Sequence, residues 1–447
     1  MIDSSKISRL LYTFRGIAND TLTPEFALKV GQIVGAEMLA IGHGRMLMAG
    51  DHRSSTPMLK AALSAGLLSS GVDVTDFGMC PSPTLAFAVK REGCPGAMIT
   101  ASHNPPEWNG IQLLEPDSHI CGPEREQEIK EQVLQVSEAA TWDRLGQTRL
   151  QAGLIDEHIG ALVGRVNPDR RLKVVVDLGS GMAALAVPGL LERLGAEAIC
   201  IHEDLDPLFA SRPSEPRPEH LGRLCEEVVA RGADVGLAYD GDCDRMVVVD
   251  ETGNHVEGDR TILLLGLDTA EHGRMVLNAS TSMVTHQELE EAGFEIQLAR
   301  WGQTFLGAMV RESGAHFGGE PDGHFIWPDL SLRADAVAST AYLYDALSRS
   351  EGSLSEALDR FPRTRMVNEK IEWNHDLADY RESLVAYGKS YEKFEEIHPR
   401  LYVMTQNGSK LAVRQSPFDS TLRIFAESYE PAQADRLAAE VKELLLG

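Results

Sequence analysis

Short apolar runs alternate with amphipathic stretches in the first third of the chain, and this alternation restricts the fold more than any other feature. Apolar runs occupy residues 46–49, 72–77 and 97–100, and helical patterns at 58–69 and 84–90 separate them. Continuous apolar strands separated by helices predict a parallel sheet covered on both faces. Ligands of such sheets bind at the carboxyl ends of the strands, so the loops after these strands are expected to carry the functional residues.

The same alternation returns twice further along the chain. A predicted strand at 172–177 precedes a predicted helix at 184–194, and a second strand at 235–239 runs into an acidic segment. A third unit is predicted to begin with a helix at 260–267 and to be closed by a helix at 336–348. A single hydrophobic core rarely serves a chain of 447 residues, so several domains are expected.

The C-terminal part has a different pattern. Apolar stretches at 402–405 and 410–413 flank Asn407-Gly408, a residue pair typical of a two-residue hairpin turn. A further strand is predicted at 421–426 and a helix at 432–446. Since no crossover between parallel strands is required here, we expect an α+β domain.

The balance of charge limits the class of partner. The chain carries 42 Lys and Arg residues against 67 Asp and Glu residues, for a formal net charge of -25. Because nucleic-acid binding depends on neutralising phosphates with cations, such a surface argues against DNA, RNA and anionic membranes as partners. A small phosphorylated metabolite is still compatible, since a metal ion and a few arginines can reverse the potential inside one cleft.

The cysteines and the apolar residues bear on the compartment. The six cysteines lie far apart and form no C-x-x-C pair, so reduced thiols are expected. The N-terminal residues lack the apolar core of a signal peptide, and no apolar run is long enough to span a membrane. We therefore expect a cytoplasmic protein that has no membrane partner.

Three carboxylates at alternate positions form the sharpest local motif. Asp240, Asp242 and Asp244 lie between two apolar strands, with Gly241 inside the segment. In an extended loop every second side chain points the same way, so three hard oxygen ligands can converge on Mg²⁺ while the glycine permits a tight bend. The segment therefore predicts a magnesium site with an open coordination position.

Two other interpretations compete with magnesium binding. One is a solvated acidic turn, although acids this crowded repel one another unless a cation joins them. The other is a calcium loop, because Glu251 stands at the twelfth position counted from Asp240. That loop requires glycine at its sixth position, where this chain has Arg245, and the residues that follow are strand-like.

A stiff polar loop follows the predicted strand at 97–100. It presents Ser102, whose hydroxyl is a candidate nucleophile, and His103, a candidate proton partner, ahead of two prolines that restrict the backbone. Taken alone the pair is weak evidence, because a serine beside a histidine in a loop is usually a hydrogen-bonding turn residue. The spacing around Ser102 also differs from the nucleophile elbow of hydrolases.

Together and in this order, the two loops resemble those of the phosphohexomutase superfamily, with its T-A-S-H-N-P phosphoserine loop and D-G-D-x-D-R metal loop. Residues 14–17, 50–53 and 319–324 match further family landmarks, so the resemblance covers nearly the whole chain. It points to the archaeal and bacterial phosphoglucomutase, phosphomannomutase and phosphoglucosamine mutase branches.

The implied fold class is α/β, with three related α/β domains of mixed, largely parallel sheets and a C-terminal α+β domain around a central cleft. The implied domains are a phosphoserine-loop domain at 1–153, a metal-binding domain at 154–256, a sugar-recognition domain at 257–365 and a phosphate-binding domain at 366–447.

The resemblance implies a phosphosugar mutase, an isomerase that interconverts sugar 1-phosphate and sugar 6-phosphate. A phosphorylated Ser102 would give its phosphoryl group to the sugar, and the resulting bisphosphate would turn over and return its other phosphoryl group. The resemblance also implies one Mg²⁺ per chain, a sugar bisphosphate as activator, and a monomer or homodimer.

For Arg15 and Arg53, a structural ion pair is as good an interpretation as direct contact with the substrate. By analogy the catalytic residues are Ser102, His103, Arg15 and Arg245, the metal ligands are Ser102, Asp240, Asp242 and Asp244, and the substrate-binding residues are Gly302, Gln303, Thr304, Glu320, Asp322, His324, Arg414, Ser416 and Arg423.

Three departures from the family pattern bear on activity. Gln112 stands where most members have a lysine ten positions after the phosphoserine, and an amide cannot carry a proton at neutral pH. The phosphate loop at 414–420 contains Pro417 and Phe418, which reduce its donors and its flexibility. Gly302-Gln303-Thr304, which follows an unusual Trp301, stands where the family has G-D in the third domain, a change that would reshape the sugar pocket. Two functions are therefore left open: an active mutase on a hexose, hexosamine or pentose phosphate, and a weakened paralogue that binds sugar phosphate.

Overall fold

The computed structural model describes residues 4–135, 139–269, 273–416 and 420–446. Its helices are α1 (Ser4–Ile7), α2 (Pro24–Ala40), α3 (Thr56–Ser70), α4 (Ser82–Glu92), α5 (Pro123–Gln132), α6 (Leu154–Val163), α7 (Val187–Arg193), α8 (Gly222–Arg231), α9 (Gly258–Leu267), α10 (Met283–Glu291), α11 (Gln303–Ser313), α12 (Ala336–Arg349), α13 (Leu354–Leu358), α14 (Arg381–Gly388) and α15 (Pro431–Leu446). Its strands are β1 (Gly16–Ile17), β2 (Arg45–Gly50), β3 (Asp73–Met79), β4 (Gly96–Ile99), β5 (Trp108–Asn109), β6 (Ile111–Leu114), β7 (Thr148–Leu150), β8 (Lys173–Asp177), β9 (Glu197–Ile201), β10 (Val235–Tyr239), β11 (Met246–Asp250), β12 (His255–Val256), β13 (Arg274–Asn278), β14 (Glu295–Ala299), β15 (Phe317–Gly319), β16 (Phe325–Ile326), β17 (Arg365–Glu372), β18 (Lys393–His398), β19 (Leu401–Gln406), β20 (Ser409–Gln415) and β21 (Thr421–Ser428).

Two five-stranded sheets organise the first compact unit, which comprises Met1–Gly258 and Asp322–Ser355. In the first sheet the order is β6-β4-β2-β3-β7, with β6 antiparallel to β4 and all other neighbours parallel. Alternate residues of β2 face opposite ways, so the side chains at 46 and 48 join the core under α2 and α3, and those at 47 and 49 join the core under α4. The predicted parallel sheet with two covered faces is confirmed.

The second sheet repeats this design around the acidic loop. Its order is β12-β11-β10-β8-β9, with β10, β8 and β9 parallel and β11 antiparallel to β10. The chain leaves β4 at its carboxyl end, forms the Ser102 loop and returns along the antiparallel β6. It likewise leaves β10, forms the Asp240 loop and returns along the antiparallel β11. The two loops therefore occupy equivalent positions in two similar sheets, as expected for ligand sites at carboxyl strand ends.

Helix α12 packs in the first compact unit of the structure. The sequence pattern instead predicts this helix at the end of the third α/β unit, which begins near residue 260. The helix contacts α6 and α7, and its side chains meet the segment that leads into β8. Asp345 accepts from Asn167 N at 2.9 Å, and Tyr344 accepts from Leu172 N at 3.2 Å. The helix has apolar or small side chains on almost every face. This pattern predicts that the helix is buried, but it does not indicate which sheet the helix packs against.

The second compact unit comprises Asp259–Pro321 and Glu356–Gly447 and contains two kinds of sheet. Strands β14, β13 and β15 are parallel neighbours. Strands β17, β21, β20, β19 and β18 form an antiparallel sheet in that order, and α15 packs on β17 and β21. The predicted hairpin is confirmed, since β19 and β20 pair across Asn407-Gly408 and the glycine has a left-handed φ of 74°.

None of the helices in the described ranges has both the length and the hydropathy of a membrane span.

Candidate active site

The three aspartates of the acidic loop converge as the alternating pattern predicted. The three residues are 0 to 2% exposed, and one oxygen from each lies within 4.8 Å of the others. Gly241 between them allows the close approach of a second loop, because a Cβ at this position would lie 2.7 Å from the Ser102 carbonyl oxygen. The solvated acidic turn is thereby ruled out as a description of this segment.

Asp240 joins the acidic loop to Ser102. Its Oδ1 accepts the backbone amides of Asp244 at 3.1 Å and Arg245 at 3.2 Å, which folds the loop back on itself. Its Oδ2 accepts the Ser102 hydroxyl at 2.9 Å. One carboxylate therefore shapes the loop and orients the candidate nucleophile.

The Ser102 loop is held in a conformation that few residues adopt without support. Ser102 has a φ of 50° and is 2% exposed, and its carbonyl oxygen accepts from Arg53 Nη2 at 2.8 Å and Ser214 Oγ at 3.1 Å. Arg53 is itself buried, pairs with Asp51 at 3.0 Å and donates to three further carbonyl oxygens of the loop. For Arg53, the structural interpretation left open by the sequence is the one observed.

Arg15 reaches the same loop from the N-terminal segment. Its Nη1 donates to Asn104 Oδ1 at 3.1 Å. The turn before it contains Thr13 and Phe14 with φ angles of 58° and 48°, and both carboxylate oxygens of Glu126 accept from Thr13 N, at 2.8 and 2.9 Å. The structure thus places Arg15 beside the Ser102 loop through a turn that α5 holds in place.

Polar contacts link His103 to Ser102 on one side and to Arg245 on the other. The Nδ1 atom of His103 lies 3.2 Å from Ser102 Oγ and 3.1 Å from Arg245 Nη2. Burial, followed by the charges of Arg245 and Arg15, holds the pKa of His103 well below its usual range. The His103 ring is therefore neutral and its Nδ1 is an acceptor for the arginine.

His324 and Asp322 belong to this same group of residues in the first unit. His324 Nδ1 lies 2.9 Å from Asp322, and its Nε2 lies 3.5 Å from Asp244 Oδ1. Burial would lower the pKa of His324, but Asp322 and Asp244 raise it to about 10. Of the predicted substrate residues, His324 thus contacts the acidic loop and Asp322 pairs with His324, and the protonated ring opposes the negative charge of the loop.

Three residues of this site were missed by reasoning from sequence. Ser82 donates to Asp242 from the start of α4, Ser214 supports Ser102, and Arg333 is fully buried with Nη2 at 3.2 Å from Asp242 and 3.0 Å from Asp244. Nothing in the local sequence signals these roles. Asp335, two positions after Arg333, is the N-cap of α12 and is recognisable as such from the sequence. It indicates the start of a helix but not the role of Arg333.

The charges of the acidic loop fit a divalent cation. Burial, and then repulsion from the neighbouring aspartates, raises the pKa of Asp240 well above its usual range and raises that of Asp242. Burial acts the same way on Asp244, but His324 and Arg333 hold its pKa well below the usual range. The Oδ1 atom of Asp242 is buried without a hydrogen-bond partner among the described residues. Three hard oxygen donors, one of them unsatisfied, suit Mg²⁺.

Four predicted substrate residues come together in the second unit. Glu320 is fully buried, and its Oε1 accepts from Gly302 N at 2.7 Å and from Asn278 Nδ2 at 2.9 Å. Gly302 has a φ of 114° and is the N-cap of α11, so Gln303 and Thr304 lie in the first turn of that helix. The Glu320 carboxylate therefore holds the start of α11, where three of the predicted substrate residues lie.

The remaining predicted residues of this unit lie on the antiparallel sheet. Arg414 and Arg423 are directly opposite in the β20–β21 pair, and Ser416 N donates to Thr421 O at 2.8 Å. The Arg414 guanidinium lies 5.0 Å from the centroid of the Trp301 ring, a cation–π geometry. Pro417, Phe418 and Asp419 of the altered phosphate loop lie outside the described residues.

Comparison with protein families gives three matches in succession. They carry the descriptions "Phosphoglucomutase/phosphomannomutase, alpha/beta/alpha domain I" at residues 11–140, domain II at 156–253 and domain III at 257–364. The resemblance stated from the motifs and the α/β fold class are thereby confirmed, with a further C-terminal domain beyond the third match. The domain boundaries at 153, 256 and 365 stay predictions.

Individual proteins similar to this chain carry related names. A protein of Methanosarcina barkeri (strain Fusaro / DSM 804), "Probable phosphoglucosamine mutase", is 35% identical over 420 residues, 93% of this chain and 94% of that protein. A protein of Thermococcus kodakarensis (strain ATCC BAA-918 / JCM 12380 / KOD1), "Phosphoglucomutase/phosphomannomutase", is 34% identical over 462 residues, 98% of each. A crystal structure of a phosphoglucomutase/phosphomannomutase family protein from Burkholderia thailandensis superposes with a TM-score of 0.90 at 26% identity, covering 100% of this chain and 98% of that one.

Proposed function

The chain belongs to the phosphoglucomutase/phosphomannomutase family and is a phosphohexomutase, an intramolecular phosphotransferase, and on that premise we propose that Ser102 is its phosphoryl carrier. The observation that carries the proposal is the contact between Ser102 Oγ and Asp240 within a buried loop of three aspartates. Phosphoryl transfer depends on positioning the reacting groups and on neutralising the charge of the phosphoryl group. A hydroxyl beside a cluster of carboxylates that can bind a metal ion meets both requirements.

Asp240, Asp242 and Asp244 would hold one Mg²⁺ together with the Ser102 phosphoryl group. The bound metal would neutralise charge on the phosphoryl oxygens. The protein's own contribution is to hold Ser102 in place through Arg53 and to bring cationic groups to the same position. These groups are the guanidinium of Arg245, the imidazolium of His324 and the guanidinium of Arg15.

In the first half-reaction the bond between phosphorus and Ser102 Oγ breaks, and a bond forms between phosphorus and the free hydroxyl oxygen of a sugar phosphate. The hydroxyl proton passes by way of a phosphoryl oxygen to Ser102 Oγ, which leaves as a hydroxyl, because the Gln112 amide cannot carry the proton and His103 Nδ1 already accepts from Arg245. The sugar bisphosphate then returns its other phosphoryl group to Ser102. Both half-reactions together move phosphate between the 1- and 6-positions, and the bisphosphate also serves as activator.

The proposed substrate is an aldohexose or hexosamine phosphate. Relatives named for phosphoglucosamine, glucose and mannose phosphates support this class. We propose that the Glu320 carboxylate, which Gly302 and Asn278 hold in place, accepts hydrogen bonds from sugar hydroxyls. Arg414, Ser416 and Arg423 would bind the phosphate that is not transferred.

Intact-mass measurement after incubation with Mg²⁺ and glucose 1,6-bisphosphate tests the carrier. The wild type is expected to gain one phosphoryl group, and Ser102→Ala is expected to gain none. Ser64→Ala on α3 is the matched control and is expected to behave as wild type. An equal gain in Ser102→Ala, or no gain in the wild type, would contradict the proposal.

A coupled assay on the 1-phosphates of glucose, mannose, glucosamine and ribose separates the functions left open by the sequence. Turnover of a hexose or hexosamine phosphate is expected. Phosphorylation of Ser102 without turnover of any of the four would instead favour the weakened paralogue.

A further inference from the structure

Gln112, at the position of the family's lysine, is part of a buried hydrogen bond. Its side chain is 1% exposed, and its Oε1 accepts from Nη1 of Arg333, which lies 221 positions away in the sequence. The other terminal nitrogen of Arg333, Nη2, donates to Oδ2 of both Asp242 and Asp244. One guanidinium therefore joins the altered position to two carboxylates of the acidic loop.

The segment that delivers Arg333 is fixed by its own hydrogen bonds. Leu332 N donates to Ser118 Oγ at 2.8 Å, and Arg333 N donates to Ser331 Oγ at 3.2 Å. Asp335 caps the N-terminus of α12 immediately afterwards. The side chain thus starts from an ordered backbone, which reduces the entropy lost when its guanidinium is held.

Gln112 and Arg333 are chemical complements. The amide oxygen is an acceptor for a guanidinium, which has only donors. An ammonium in the same place would face a second buried cation at hydrogen-bonding distance, and like charges in a buried site repel strongly. A glutamine at 112 therefore suits a protein that brings its cation from position 333.

We propose that Arg333 supplies the positive charge that the family's lysine supplies from position 112, and that it positions Asp242 and Asp244 for the metal. The inference rests on the proposed phosphoryl transfer at Ser102. Arg333 holds Oδ2 of each carboxylate and leaves Oδ1 of Asp242 for a cation. A guanidinium keeps its proton in a protein, so Arg333 takes over the charge and the positioning, and not the proton transfer.

A double-mutant cycle on Mg²⁺ affinity tests the pairing. The apparent Kd is measured in the absence of sugar phosphate, from the rise in melting temperature with Mg²⁺ concentration. Arg333→Gln is expected to weaken binding about tenfold to a hundredfold, the usual cost of losing a partner that orients metal ligands. Gln112→Lys is expected to weaken it by about tenfold through repulsion from Arg333. The double variant, which moves the cation back to 112, is expected to return to within about threefold of wild type.

Two further variants keep the test decisive. Gln112→Met leaves a buried Arg333 donor without its acceptor, which lowers stability equally with and without Mg²⁺. It adds no charge, so the Kd is expected to change by less than about threefold. Arg333→Lys keeps the charge and is expected to bind Mg²⁺ more tightly than Arg333→Gln. If Arg333→Gln melts too low to titrate, the comparison of Gln112→Lys with Gln112→Met decides, and equal affinities would overturn the inference.

A double variant that is weaker than either single variant would also overturn it. Intact mass of Ser102 is recorded on the same samples, so the two hypotheses fail separately. A wild type that never becomes phosphorylated contradicts the proposed function, whatever the Mg²⁺ cycle shows. A phosphorylated wild type with no coupling between positions 112 and 333 contradicts the inference alone.

Discussion

The Ser102 hydroxyl donates a 2.9 Å hydrogen bond to Oδ2 of Asp240, although 138 positions of sequence separate the two residues. The same carboxylate accepts two backbone amides of its own loop with Oδ1. Any displacement of the acidic loop therefore moves the acceptor that orients Ser102. The position of the proposed phosphoryl carrier depends on the same loop that would hold the metal.

Gly241→Ala is expected to slow phosphorylation of Ser102. A Cβ at 241 would lie 2.7 Å from the Ser102 carbonyl oxygen and 2.8 Å from Ser214 Oγ, so the two loops must separate. Misplacement of a reacting group by about 1 Å can cost on the order of a hundredfold in rate. The rate is measured by intact mass during incubation with glucose 1,6-bisphosphate and Mg²⁺.

The matched control for this change is Gly160→Ala on α6. A Cβ there meets nothing within 4 Å, and alanine is the better helix former, so an unchanged rate and a slightly higher melting temperature are expected. Equal phosphorylation rates in the two glycine variants would refute the argument from close approach.

Asp242→Asn is expected to stabilise the metal-free protein and to weaken Mg²⁺ binding. Asp242 Oδ2 accepts from Ser82 and Arg333, which an asparagine oxygen can still do, while the buried charge beside Asp244 is removed. The melting temperature in EDTA should rise by about 2 °C or more, the shift expected for roughly 1 kcal/mol. The rise in melting temperature on adding Mg²⁺ should largely disappear. A variant that melts lower in EDTA and responds fully to Mg²⁺ would contradict the assigned role.

Glu126→Gln is expected to change the pH dependence of stability. Burial raises the pKa of Glu126 to about 8, against the opposing charge of Lys130. The unfolded chain releases this proton near pH ~4.3, so the stabilisation is fully present below that pH and is lost as the pH rises to about 8. Glutamine does not titrate. The melting temperature of Glu126→Gln minus that of the wild type should therefore increase from pH 5 to pH 9. A difference in melting temperature that does not change with pH would disprove the raised pKa of Glu126.

Trp301→Leu is expected to raise the KM for sugar phosphate more than it lowers kcat. The ring lies under the Arg414 guanidinium at 5.0 Å, and a cation–π contact of about 0.5–2 kcal/mol corresponds to roughly 2- to 30-fold. Phe305→Leu is the matched control, because Phe305 makes the same kind of contact with Arg300 at 3.9 Å. Steady-state kinetics on the preferred sugar phosphate decides, and a larger KM effect at Phe305 than at Trp301 would count against Arg414 as the phosphate ligand.

Much of the local structure and the two key loops could be predicted from the amino-acid sequence. The periods of 2 and 3.6 residues are local properties, so β2, α3, β10 and the β19–β20 hairpin were recognisable from their own side chains. Alternating aspartates in a short loop also determine their own convergence, since the backbone alone brings them to one side. For the same reason the Ser102 loop and the acidic loop were identified, together with their family.

What the tertiary structure decided is which distant residues complete those loops. Arg333 looks like an ordinary charged residue before a helix, and α12 has a pattern that fits several neighbours. A side-chain pattern records that a face is buried, but not the partner that buries it, because that choice depends on how sheets far apart in sequence pack. Gln112 is the clearest case: alone it is a missing lysine, and only the fold brings Arg333 to its amide oxygen.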